Sequence, residues 1–138
     1  MADSIRLTVV TPGGGVFDGD VASVTARTEI GEFCMLPDHC RLLTALEPGR
    51  LLITRRDGGV ESYVVDEGFL EGGKDHANVI VQQCVAVADI DEAAVKREAE
   101  ELRAALAPLA EDAPERAEVV RALRWTEARI DAALSRNA

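Results

Sequence analysis

With 138 residues, 47% of them apolar and 29% charged, the chain has a globular composition with enough apolar content for a buried core, outside the low-hydrophobicity, high-charge regime of disorder. Its formal charge of −10 divides into 14 acids against 7 bases in residues 1–90 (−7) and 11 against 8 in residues 91–138 (−3). Such a surface repels phosphate backbones, and nothing in residues 1–90 resembles a basic patch, which argues against nucleic acid as a partner. No apolar run reaches the roughly 18 residues that cross a bilayer, and the opening MADSIRLTVV lacks a basic n-region and a long apolar core, so neither membrane insertion nor secretion is expected. Cys34, Cys40 and Cys84 are odd in number and have no CxxC spacing. They read as buried free thiols in a reducing compartment.

Up to about residue 87 the apolar residues alternate or form short runs, punctuated by Gly, Pro and Asp every roughly 8–12 residues, the rhythm of an antiparallel β-sandwich. Ile5, Leu7 and Val9 alternate with Arg6 and Thr8, and Pro12 with Gly13-Gly14-Gly15 forces a turn before Val16-Phe17. Val21 to Arg27 is a further strand. Leu51-Leu52-Ile53 and Val60 to Val65 flank Asp57-Gly58, a hairpin signal because its turn needs positive φ. Phe69-Leu70-Glu71, a turn at Gly72 to Asp75, and Asn78 to Val85 make a last pair.

From Asp89 glycine disappears, alanine dominates and the apolar spacing becomes three and four, which predicts a two-helix antiparallel hairpin over residues 88–138. Asp89 with Glu92 resembles a capping box. Val95, Ala99, Leu102 and Leu106 lie within about 60° of one another on the first helix. Pro108 and Pro114 bracket the link, with Pro114 in the first turn of the second helix. There Val119, Val120, Leu123, Ile130 and Leu134 span about 100° and are expected to meet the first helix. Arg121, Arg124, Arg129 and Arg136 fall on the opposite arc around Trp125. Two arrangements fit: arginines stacked on an outward Trp125 by cation–π contact, or a solvated arginine face with Trp125 resting on the β-body.

Local chemistry is sparse. Gly68 to Lys74 satisfies GxxxxGK, but Asp75 replaces the Ser or Thr that would ligate magnesium, and a strand follows where a helix should, so the segment reads as a hairpin turn. Cys34, His39, Cys40, His76 and Cys84 have no zinc-ligand spacing, and neighbours such as His39 and Cys40 point to opposite sides of an extended chain. No nucleophile stands beside a base. A small jelly-roll metalloenzyme using His39, His76 and cysteines, and a free-standing β-sandwich binding module, are the alternative readings.

The central run Gly31-Glu32-Phe33-Cys34-Met35-Leu36-Pro37-Asp38-His39, with Leu42-Leu43-Thr44-Ala45-Leu46 and Pro48-Gly49, resembles the epsilon subunit of F-type ATP synthase. That family carries Gly-Glu-x-Gly-x-Leu-Pro-Gly-His-x-Pro-Leu-x-Thr-x-Leu-x-Pro-Gly. Val10-Thr11-Pro12, Val16-Phe17-Asp18-Gly19, Gly68-Phe69-Leu70-Glu71, Asn78-Val79 and Ala128-Arg129-Ile130 extend the likeness along the chain. Cys34, Asp38, Arg41 and Glu67 depart from it, three where glycine is usual and Arg41 where proline is.

The resemblance implies a non-catalytic rotor part at the cytoplasmic face of the bacterial inner membrane. Its body, residues 1–87, would join the gamma subunit to the ring of c subunits, with Glu32 toward the ring and Thr11, His39 and Thr44 toward gamma. The bare residues give Thr11 and Thr44 strand-end roles instead. The hairpin would be a regulatory arm that opposes ATP hydrolysis by setting Arg121, Arg124 and Arg129, around Trp125, against acidic loops of the catalytic alpha and beta subunits. Some members bind ATP through Ile-Asp-x-x-Arg-Ala at the start of this hairpin. Here Ile90-Asp91-Glu92-Ala93 continues as Ala94-Val95, without the arginine, so no cofactor is expected.

Overall fold

The computed structural model describes residues 3–136. Nine strands run β1 Ile5–Thr11, β2 Gly14–Thr28, β3 Gly31–Met35, β4 Leu42–Leu46, β5 Gly49–Arg55, β6 Val60–Val65, β7 Gly68–Gly72, β8 His76–Val81 and β9 Cys84–Ala86. A 3₁₀ turn at Val87–Asp89 leads to helices α1, Glu92–Leu106, and α2, Arg116–Arg136. The strands join edge to edge in the order β4-β7-β8-β1-β2-β5-β6-β9, with β3 also on β2. All pairs are antiparallel except β1 with β8, which is parallel.

Two strands expected around a break after Phe17 are one fifteen-residue strand, β2. Its first half pairs with β1, and its second half pairs with β3 and β5 after a register shift between Val21 and Ser23. The strand therefore belongs to both layers of the sandwich, which is why Gly19 and Asp18 did not end it. The expected last strand, Asn78 to Val85, is instead split at Gln82-Gln83, and β9 turns away to pair with β6. The Asp57-Gly58 hairpin forms as expected: Gly58 takes φ +91, and Asp57 accepts from the Gly59 amide at 2.8 Å.

Inward residues of the two layers, among them Ile5, Leu7, Val9, Val24, Met35, Leu51, Ile53, Leu70 and Val79, form one core with at most 1% exposure each. Strand β6 works on both faces. Val65 lies in that core, while Val64 lies in a second cluster with Val87, Ile90, Val95, Trp125, Ala128, Ala132 and Ala133. Period-two alternation sends successive side chains to opposite sides, so one strand can floor two cores.

The α1 cap is two residues later than expected: Asp91, not Asp89, accepts from the Ala94 amide at 3.2 Å, because Asp89 is taken up by the 3₁₀ turn. Pro114 precedes α2 by two residues and does not lie in its first turn. The buried face of α2 also differs. Leu134 is 48% exposed, and Trp125, Thr126, Ala128, Ala132 and Ala133 are buried instead. A helix that touches both α1 and the β5–β6 surface needs two adjoining faces, and small side chains let it come close to both. Nor are the cysteines buried as a set: Cys34 and Cys40 are exposed, and only Cys84 is sheltered, its thiol pushed up to about 11 by burial.

Candidate functional site

Consecutive apolar residues in a strand must put one side chain outward, and β4, β7 and β8 each do so. Ala45 pairs with Phe69, Phe69 with Ile80, and Ile80 with Val10, so these residues form one row across β4, β7, β8 and β1 on the outer face. Leu43 adjoins it two residues along β4. Leu43 is 70%, Phe69 53% and Ile80 51% exposed, a contiguous apolar band of the kind that marks a partner surface. Pairing Leu43 with Glu71, Glu71 with Asn78 and Asn78 with Thr8 makes the next row polar. There Thr8 donates to Asn78 at 2.6 Å, and the Asn78 amide donates to Glu71 at 2.7 Å. His76 Nε2 meets the other Glu71 oxygen at 3.1 Å. Those bonds from His76 and Asn78 hold the Glu71 carboxyl below its ordinary range, and Glu71 followed by Asp75 raises His76.

The site residues suggested by sequence are not gathered into one patch. Thr11 closes β1 as a local turn, its hydroxyl accepting from Gly13 N at 3.2 Å and donating to Gly14 O at 3.3 Å. Thr44 lies between Leu43 and Ala45 and so on the other side of β4 from the apolar band. His39 sits edge-on to Phe33, ring centroids 5.4 Å apart, with Nδ1 2.8 Å from the Cys40 carbonyl. Glu32 is exposed on β3, paired in register with Arg27. Leu43, Phe69, Ile80 and Val10 escaped the sequence reading, although the adjacent apolar pairs Leu42-Leu43 and Phe69-Leu70 carried the signal.

On the hairpin, Trp125 is turned inward, 6% exposed, and Arg124, Arg129 and Arg136 have separate partners. The Arg129 guanidinium lies 5.0 Å from the Trp125 ring centre and donates to Glu98 of α1 and to Thr126, each at 3.0 Å. Both prior arrangements are thus partly realised: Trp125 rests on the β-body, and one arginine covers it. Arg124 donates to Glu47, in the β4–β5 connection, at 2.8 Å, and Arg136 donates to the Val87 carbonyl at 2.6 Å. Arg121 is exposed at the rim of a groove shared with Asp66, Glu67, Gln82 and Gln83 and, among the described residues, has no ion-pair partner. No helix among the described residues is long and apolar enough to cross a membrane. Nor could any group of three or more His, Cys, Asp or Glu among them hold a metal ion, so the jelly-roll metalloenzyme reading has no ligand set.

The family model described as "ATP synthase, Delta/Epsilon chain, beta-sandwich domain" matches residues 4–87. An ATP synthase epsilon chain of Nitratiruptor sp. is 37% identical over 131 residues, 95% of this chain and 96% of that one. This chain belongs to the ATP synthase delta/epsilon family. An epsilon chain of Xanthomonas euvesicatoria is 34% identical over 104 residues, 75% of this chain and 74% of its own. Among solved structures, a chain in the Euglena gracilis mitochondrial ATP synthase, a complex of OSCP, F1 and c-ring, superposes with TM-score 0.84 at 26% identity, covering 97% of this chain and 83% of that one. A chain of the Tetrahymena thermophila central stalk and c-ring shares the fold, with TM-score 0.57, 15% identity and coverage of 91% and 96%.

Seen against the delta/epsilon pattern, the departures resolve into two kinds. Asp38 takes the left-handed conformation, φ 65, that glycine usually supplies; aspartate is one of the few residues that tolerate it, and its amide donates to the Lys74 carbonyl at 2.9 Å. Cys34 and Glu67 have negative φ, so glycine is not required at either. At the hairpin start, Ala94 stands in the motif-arginine position and its amide is used by the Asp91 cap.

Proposed function

We infer that this chain is the non-catalytic epsilon subunit of the central stalk of an F-type ATP synthase, a peripheral part of the F1 sector whose body links gamma to the c-ring. The relatives named epsilon chain and the ATP synthase complexes that contain its structural neighbours support this. The observation that carries the docking role is the outward apolar band, the row Val10, Ile80, Phe69 and Ala45 with Leu43 beside it, which is costly to leave in water and suited to a permanent partner. On this reading residues 1–87 are the joint, with Thr11 and His39 toward gamma and Glu32 at the ring, while Thr44, on the other side of β4 from the apolar band, takes no part in that contact. The complex would sit on the cytoplasmic face of a bacterial inner membrane. Replacing Phe69 or Ile80 by Asp should weaken co-elution with gamma-containing F1 by at least about tenfold, since one buried side chain of this size contributes about 1.5–3 kcal/mol. Wild-type affinity in both variants would overturn the assignment of this face.

Residues 88–138 act, in the same reading, as a regulatory arm. Arg124 is occupied by Glu47 of the body when the hairpin is folded, so swinging it onto the acidic loops of alpha and beta would exchange that partner for an external one, Arg129 would be released from Glu98 only by separation of α1 from α2, and Arg121 is already free to meet them. In the assembled complex, Arg121→Ala with Arg124→Ala should raise basal ATP hydrolysis, and unchanged latency would count against the arm. The hairpin needs no nucleotide: Ala94 and Val95 offer no cation for phosphate.

A further inference from the structure

One carboxylate stands among the apolar residues of the docking band. Glu71 of β7 lies directly across the ladder from Leu43, and Phe69 is two residues along its own strand. A partner that covers both apolar side chains therefore covers Glu71 as well, whose side chain is 43% exposed beforehand. Taking a carboxylate out of water is costly unless its oxygens are bonded and its charge is matched. The chain meets the first need itself. Asn78 donates to one Glu71 oxygen at 2.7 Å, with the Thr8 hydroxyl donating to the Asn78 amide oxygen at 2.6 Å, and His76 Nε2 lies 3.1 Å from the other Glu71 oxygen.

Matching the charge falls to His76. Its Nδ1 lies 3.3 Å from an Asp75 carboxylate oxygen while Nε2 faces Glu71, so both ring nitrogens meet acceptors. A neutral imidazole has one N–H and would set its lone pair against one of these carboxylates; the imidazolium donates to both. Those two bonds, Glu71 first and then Asp75, hold His76 above its ordinary 6.5 already in the free chain. The other charged groups nearby do not take over this part. Arg6, in register with His76 on β1, is bonded to Asp18 and lies near Asp20. Arg41 approaches across Gly73 and acts on Glu71 more weakly than His76 does. Lys74 shares the turn with Asp75 and, among the described residues, pairs with neither carboxylate.

We propose that protonated His76 is the internal counter-ion that lets the docking face cover Glu71, so that gamma selects the imidazolium form of this chain and docking is linked to proton uptake. The proposal rests on the rotor assignment and names a regulator of that same face. Covering the pair removes the water that screens it and strengthens the attraction between its charges, and losing the proton in the complex would leave Glu71 uncompensated. His76 therefore titrates higher in the complex than in the free chain. Affinity is greatest below the free value and falls as pH rises from that value to the bound one.

The test titrates gamma-containing F1 lacking this subunit with full-length wild type, His76→Asn or Glu71→Gln by calorimetry, across a pH series and in two buffers of different ionisation enthalpy. From about pH 6 to about pH 8.5 wild-type affinity should fall about tenfold, with net proton uptake on docking, the result of a shift of about one unit in His76. His76→Asn should bind at every pH about as weakly as wild type does at the alkaline end, without that uptake. Glu71→Gln has no charge to cover and should stay near the acid-end affinity throughout. Wild-type affinity indifferent to pH, or the same fall and uptake in His76→Asn, overturns the counter-ion alone. Glu71→Gln that binds more weakly than wild type at every pH would mean that gamma supplies the matching cation, and overturns it too. Wild type that fails to bind at any pH overturns the docking assignment and the counter-ion with it.

Discussion

The sandwich and the hairpin are held together by different means. In the sandwich, Leu7, Leu51, Ile53 and Leu70 are closed to solvent and drawn from strands distant in sequence, so removing any one leaves a cavity in a shared core. The hairpin meets that body through Trp125, Ile90, Val95 and a set of alanines, with one ion pair, Glu47–Arg124, and a hydrogen bond from Arg136 to the Val87 carbonyl. Alanines give close approach but little apolar area each, and the Glu47–Arg124 pair is 39% and 43% exposed. On the proposed reading the sandwich is the joint, and the more weakly held hairpin is the part that would leave.

The largest effect expected from this contrast separates Ile53→Ala from Trp125→Ala. Ile53→Ala should cost about 2–5 kcal/mol of global stability in urea unfolding. Trp125→Ala should be costly too, but locally: amide exchange should accelerate across α1 and α2 while β1 and β5 stay protected. If Trp125→Ala lowers protection in both regions equally, they form one cooperative unit and the contrast is broken.

Glu47→Gln should act more weakly, about 1 kcal/mol or less, by loosening the hairpin without touching the sandwich core. Energy transfer between labels on β4 and α2 would report it. The effect should shrink in high salt and vanish on an Arg124→Gln background, and persistence there would show that the pair is not the link.

The smallest effect belongs to the sandwich surface. His76 is raised above its ordinary 6.5 by Glu71 and then Asp75, so the stability it adds is complete below about pH 6.5 and is lost as pH rises through its folded value. Glu71 is lowered, mainly by His76 and Asn78, so its contribution is present above its ordinary 4.5 and is lost as pH falls. An NMR titration should place His76 above the usual histidine range, and Glu71→Gln should return it toward 6.5. A His76 titration indifferent to Glu71→Gln would remove the pair from the polar row.

Much of this architecture could be read from residue order. Alternation at Ile5, Leu7 and Val9, the Asp57-Gly58 turn and the loss of glycine after Asp89 are local signals, and local conformational preference is what they encode. The run from Gly31 to Gly49 carried the family, and even its departure at Asp38 kept the left-handed backbone. Folding alone decided what depends on neighbours. Two layers on one strand joined the two segments of β2. Packing of α2 on α1 and β6 together turned Trp125 inward and left Leu134 in water. The apolar row from Val10 to Ala45, with Leu43 beside it, exists because β1, β4, β7 and β8 share one register, and a register is a property of pairs that no single strand specifies.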